Sequence, residues 1–309
     1  MVKRKEQLNR LDIKDDVIHN KQNKTRQSLF FIIIASFITA LLLYFYQDQD
    51  ESEQSLTYFP DDPLMSFSNA ATTLQFKNGA SFTVKWQTYS ALGSPTYLRQ
   101  DVSLLFKDGK LTGMLSKWKE NTDQISQSKT ITDDESGNYE AISVHYAERH
   151  YPDDVIKGKE IMSYDHLSVM RDAGGHFSGF KIPTAEDQKA WYTKKWRTMK
   201  SKQATLITEA AKKFHFNPDD YYPYPLTYIH VFESEPLPKL NQQTTHRVIS
   251  QLWEGLYKNY ALGVHVSEND IRDPIGSSMP MILYSKKGTD LLVIIQLDSG
   301  EMTMLKQVI

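Results

Sequence analysis

Apolar and polar residues alternate in SFTVKWQTY (Ser81–Tyr89), with Phe82, Val84 and Trp86 on one side and Thr83, Lys85 and Gln87 on the other. A period of two is that of a half-buried β-strand. Asn78-Gly79 just before it is a two-residue hairpin signal. Asp108-Gly109 is a second such signal, between DVSLLF and KLTGMLSKW. The polar stretch DDESGN (Asp133–Asn138) separates two further strands, and IMSYDHLSV (Ile161–Val169) supplies another. From Thr72 to Val169 the pattern predicts an antiparallel sheet of about six or seven strands.

After Pro183 the period changes. Thr184 is an expected N-cap with Asp187 three residues on, and Tyr192, Trp196, Met199, Leu206, Ala210 and Phe214 form a stripe at helical spacing. The predicted helix ends before Pro218. A strand is expected around Leu226 to Phe232. A second helix is expected from Gln243 to Ala261, with Val248, Leu252, Leu256 and Tyr260 on one face and Gly263 at its stop. MILYS, LLVIIQL and MTMLKQV, separated by KKGTD and DSGE, predict a three-stranded meander whose central strand is apolar on both faces. The expected class is α+β. An antiparallel β domain (71–180) is followed by an α+β domain (181–309), with a boundary near Arg171–Pro183.

One apolar run has no polar face at all. LFFIIIASFITALLLYFY (Leu29–Tyr46) contains no charge. As a helix its 18 residues would measure about 27 Å, close to the hydrocarbon thickness of a bilayer. Met1–Ser28 holds eight Lys/Arg against four Asp/Glu, a net of +4, whereas Asp48, Asp50, Glu51 and Glu53 follow the run. The positive-inside rule then puts a basic tail (1–28) in the cytoplasm, the transmembrane anchor at 29–46, and the rest outside. The long charged segment before the run and the lack of a small-residue cleavage site after it favour an uncleaved anchor over a signal peptide. Residues 47–70, acidic and with Pro60 and Pro63, read as a stalk.

Composition narrows the chemistry. The chain of 309 residues has no cysteine, which excludes disulfides, thiolate metal sites and cysteine nucleophiles. A net charge of −2 gives no reason to expect nucleic acid. No phosphate-binding glycine loop is present. The triplets Ser126-x-x-Lys129, Ser136-Gly137-Asn138 and Lys287-Gly288-Thr289 do not make a serine acyl-enzyme set, because the last is permuted and the first two are too close together.

Polar side chains are densest in ISVHYAERHYPDD (Ile142–Asp154). His145 and His150 are the candidate metal pair, and Glu148, His150 and Asp153 the candidate acid–base cluster. A regular strand puts Ile142, Val144 and Tyr146 on one face and Ser143 and His145 on the other. The two histidines then point apart, which leaves a solvated strand end as the simpler reading. Two binding surfaces are also candidates. One is the tyrosine run at Tyr221, Tyr222 and Tyr224, which suits a sugar or peptide. The other is the basic face of the first helix at Lys194, Lys195 and Arg197, which suits anionic lipid or wall polymer. The expectation is a single-pass, extracytoplasmic binding or accessory protein of the bacterial cell envelope, non-catalytic and without cofactor. Its expected partners are membrane lipid through the anchor and an envelope protein or anionic wall polymer. The alternative is an envelope hydrolase with a carboxylate/His site near residues 145–154.

Overall fold

Asp108 and Gly109 take φ of 49° and 79° and close a two-residue turn, with Lys107 facing Lys110. Both central residues of such a turn need positive φ, which Asp and Gly tolerate. The turn joins two long strands in the computed structural model, which describes residues 59–79, 81–267 and 270–309. Strand β1 is Phe67–Lys77, β2 Phe82–Lys107, β3 Lys110–Asp133, β4 Gly137–His150, β5 Ile156–Arg171 and β6 Phe177–Phe180. They form one antiparallel sheet in the order β1-β2-β4-β5-β6, with β3 along the other side of β2.

SFTVKWQTY and DVSLLF are not separate strands. They are the two halves of β2, which runs unbroken for 26 residues. Its first half pairs with β1 (Leu92 facing Phe67) and its second half with β4 (Leu98 facing Glu148). Between them the pairing with β3 is irregular from Ala91 to Thr96, around Gly93 and Pro95. Glycine and proline mark bends and bulges in strands. The bend folds β1 back over β5, where the Leu74 N–H donates to Asp165 Oδ2 at 2.7 Å. At Gly179 of β6 a Cβ would lie 2.4 Å from Phe76 Cβ, so that contact requires glycine.

Folding back buries both faces of the central strands. Leu74, Phe82, Val84, Trp86, Leu105, Tyr139 and Val169 fill the inside. Leu104, Phe106, Ile142, Val144 and Met162, on the outer face, join the core of the C-terminal elements. The two faces of ISVHY are as the alternation predicts, but neither is solvated. Ser143 and His145 lie on the face opposite Ile142 and Val144, and that face is also buried.

Helix α1 spans Glu186–Phe214 with Ala185 at its cap, one residue later than a cap at Thr184 implies. Gln188 Oε1 accepts from the Thr184 and Ala185 N–H groups at 3.0 and 3.3 Å, which occupies its first free donors. Strand β7 (Tyr221–Pro225), a 3-10 helix (Leu226–Glu233), α2 (Gln242–Leu256), a π turn (Tyr257–Ala261), and the short pair β8 (Val264–Ser267) and β9 (Asp270–Arg272) follow. Strands β10 (Met281–Ser285), β11 (Asp290–Gln296) and β12 (Met302–Val308) form the predicted meander. The strand expected at Leu226–Phe232 is instead the 3-10 helix, with Leu226, Ile229 and Phe232 all buried. That spacing of three is the 3-10 repeat. The tyrosine run supplies β7, which pairs with β10 as a fourth strand, in the order β12-β11-β10-β7.

The boundary at 171–183 does not divide the molecule. One apolar cluster joins Leu104, Ile142 and Val144 to Val248, Leu252, Trp253 and Val293, and the described residues belong to one compact unit. The stalk assignment also ends too late. Asp62 and Met65 are buried and Phe67 begins β1. Among the described residues no helix is long and apolar enough to cross a membrane, and the span expected at Leu29–Tyr46 lies outside them.

Candidate functional site

The register of β2, β4 and β5 fixes a polar patch inside the folded-back sheet. Asp101 faces His145 and Ser143 faces Ser163. His145 Nδ1 is 3.1 Å from Asp101 Oδ2, and its Nε2 is 2.7 Å from Ser163 Oγ. Ser90 Oγ donates to both Asp101 oxygens, at 2.8 and 2.6 Å, and accepts from Arg99. Thr72, Ser143 and Ser103 continue the hydroxyl chain. In outline Asp101–His145–Ser163 has the order of an acyl-transfer triad. Its surroundings fit an interior polar network instead. The carboxylate and imidazole have no exposed surface, and Nδ1 is not aligned for a hydrogen bond. Ser163 Oγ already shares a 2.6 Å contact with Thr72. A buried charge survives only when paired and hydrogen-bonded, and Arg99–Ser90–Asp101 meets that condition.

The candidate residues of the Ile142–Asp154 stretch divide accordingly. His145 points inward and His150 outward, so the two do not share an ion. Among the described residues no group of three or more His, Asp or Glu is placed to hold a metal. Glu148 and His150 do meet, at 2.5 Å, with His150 stacked on Tyr97. Asp153 is in the exposed turn after them, at φ 62°.

The binding candidates are dispersed as well. Tyr221 donates to Asp290 at 3.3 Å, Tyr222 lies under Lys286, and Tyr224 stacks on Tyr228. Lys195 is paired with Asp108 at 2.7 Å, while Lys194 and Arg197 stay exposed on α1. The pairing of Tyr221–Pro225 as a strand and the Lys195–Asp108 ion pair account for this scatter.

Two clefts flank the core contact on the outer face of the sheet. The first, a groove of about 310 Å³, lies between β4–β5 and the end of α2 and is walled by Leu98, Val144, Tyr146, Trp253 and Tyr257. Glu148 and Glu254 also line it, and Glu160 joins it to a neighbouring cleft that carries Glu233. Burial first, and then the Glu233 and Glu254 charges, push the Glu160 carboxyl up to about 8, against a hydrogen bond from Ser250.

The second cleft, of about 330 Å³, lies between β4–β5, α1 and the 3-10 helix. Its walls are aromatic. Tyr164 and His230 stack at 4.4 Å with planes 7° apart, and Trp196 and Tyr228 are 46% and 42% exposed beside them. Glu140 forms part of its floor. Tyr164 and Thr227 hydroxyls donate to Glu140 Oε1 at 3.1 and 3.0 Å. Burial nevertheless raises the Glu140 carboxyl, against those donors and the charges of His166 and Lys200. His230 Nδ1 is 2.6 Å from the Thr227 carbonyl, so it carries the proton. An apolar-walled cleft with a few convergent polar groups is the usual form of a ligand site. Tyr164, His166, His230 and Glu140 do not stand out in sequence. The one available signal was Trp196, in a stripe otherwise used for packing.

Comparison with family models, with curated proteins and with solved structures gives no match for this chain.

Proposed function

We propose that the protein is a membrane-anchored binding protein of the bacterial cell envelope. Its folded part lies outside the membrane and takes an envelope ligand in the cleft between α1 and the β4–β5 face. The anchor and its orientation rest on the uncharged run Leu29–Tyr46 and its unequal flanks. The observation that carries the binding reading is the aromatic cleft, where Tyr164, His230, Trp196 and Tyr228 surround the floor carboxyl of Glu140. Exposed aromatic rings beside a buried acid cost stability, and a ligand that covers them recovers it.

A second reading, an envelope hydrolase, draws on Glu160. A carboxylic acid held protonated near neutral pH beside Glu148 in a groove is suited to acid–base work.

Protease added to intact cells should digest the chain beyond Tyr46, and protection of that region would remove the extracytoplasmic placement. Purified wall fragments should be retained by the full chain in lipid nanodiscs, with retention lowered about tenfold or more by Trp196→Ala. Undiminished retention in that variant would count against the cleft. New reducing ends or new amino termini, lost in Glu160→Gln, would transfer the assignment to the hydrolase reading.

A further inference from the structure

We propose that the ligand of the aromatic cleft is a saccharide ring. The proposal rests on the reading of that cleft as a binding site and names the chemistry it selects.

A pyranose has two apolar C–H faces and a rim of hydroxyls, each hydroxyl both donor and acceptor. The cleft offers the complement of both. Trp196 and Tyr228 are both exposed at the cleft; one face of Trp196 lies under the Lys200 ammonium, 5.7 Å from the ring, and one face of Tyr228 stacks on Tyr224 at 5.5 Å, which leaves one face of each for a ligand. Aromatic side chains give flat apolar contact at little cost in conformational entropy.

The polar groups below them are held in place by hydrogen bonds and have unused capacity. Glu140 Oε1 is taken by Tyr164 and Thr227, and no hydrogen bond to Oε2 is formed among the described residues. His230 Nδ1 is committed to the Thr227 carbonyl, which leaves Nε2 as an acceptor. A carboxyl oxygen and an imidazole nitrogen with a free lone pair each accept a hydroxyl proton.

Other ligand classes fit less well. A wholly apolar ring would leave the floor groups desolvated and unpaired. A phosphate would face Glu140 with Lys200 as the chief counter-charge. The chain positions the groups rigidly, because Tyr164 stacks on both His230 and His166, and His166 is tied to the Lys181 carbonyl at 2.9 Å.

The test uses the full chain in lipid nanodiscs, prepared without glycoside detergents. It is presented with an array of neutral and N-acetylated oligosaccharides and, separately, an array of dipeptides. Binding of at least one saccharide is expected. Trp196→Ala and Tyr228→Ala should each weaken it about tenfold, Glu140→Ala similarly, and Glu140→Gln, which keeps a side-chain oxygen to accept from Tyr164 and Thr227, by less than about threefold. If dipeptides bind in a Trp196-dependent way and saccharides do not, the ligand class is wrong and the binding reading stands. If neither array binds, both fall. Saccharide binding unchanged in Trp196→Ala and Tyr228→Ala would place the sugar elsewhere and overturn the proposal.

Discussion

Glu140 and Glu160 stand on the same outer face of the sheet, and burial moves both carboxyls in the same direction. For Glu160 the consequence can be read in solution. The unfolded chain loses this proton near 4.5, whereas the folded chain keeps it to about 8. Between those values the native state holds a proton that the unfolded state has released, so stability falls as pH rises across the window. Glutamine at this position has no proton to lose. The Glu160→Gln variant should therefore gain on the parent as pH goes from about 5 to about 8, by as much as a few kcal/mol at ~1.4 kcal/mol per unit. Thermal melts at several pH values would show it, and parallel curves would mean that Glu160 is not held in its neutral form. The same scale shows what the sequence could reveal. A period of two was enough to separate His145 from His150, because alternation is local. The burial of His145 was not legible, because Phe67, whose ring meets it edge-on at 6.3 Å, comes from β1, more than seventy residues away.

Among the elements, those with strong local signals appear as expected. The Asp108-Gly109 hairpin, the stripe of α1, the face of α2 and the β10–β12 meander all rest on turn chemistry or on periodicity sustained over several turns. Three elements differ, each for a tertiary reason. Strand β2 continues through Gly93 and Pro95 because β3 pairs with it on both sides of the bend. The tyrosine run becomes β7 because β10 offers it a partner, with Tyr222 facing Tyr284. Leu226–Phe232 is too short for periodicity to separate strand from helix, and its spacing of three is satisfied by packing Leu226, Ile229 and Phe232 into the main core. The last of these bears on the candidate site. The 3-10 helix brings Thr227, Tyr228 and His230 to the cleft, and a strand there would have dispersed them. Helix α1 takes part at both ends. Its C-terminal half packs Leu206 and Ala210 on β10 and β11, while Tyr192, Trp196 and Met199 wall the cleft.

At the scale of the molecule, the question is whether the β layer and the C-terminal elements stand independently. The change of period near Arg171–Pro183 suggests two domains, since sequence pattern reports elements and not the contacts between them. The core crosses that boundary. Leu104, Phe106, Ile142, Val144 and Met162 of the β layer bury their side chains against Ile229, Phe232, Val248, Leu252 and Trp253, and Trp253 Nε1 lies 2.9 Å from Met162 Sδ. Removing either half would expose most of that apolar surface, at about 25 cal/mol for each Å². Neither part is therefore expected to remain folded when the other melts. Two tryptophans can test this. Trp86 lies in the interior of the β layer and Trp253 in α2, both nearly without exposure. In variants that keep only Trp86 or only Trp253, the fluorescence midpoint should coincide with that variant's own far-ultraviolet circular dichroism midpoint. A single transition of this kind is the mark of one cooperative unit. A gap of more than about 5 °C between the probes in either variant would restore two separately folding parts, since that is the shift expected from ~1 kcal/mol or more of independent stability. It would also loosen the saccharide cleft, whose walls come from both sides of residue 183.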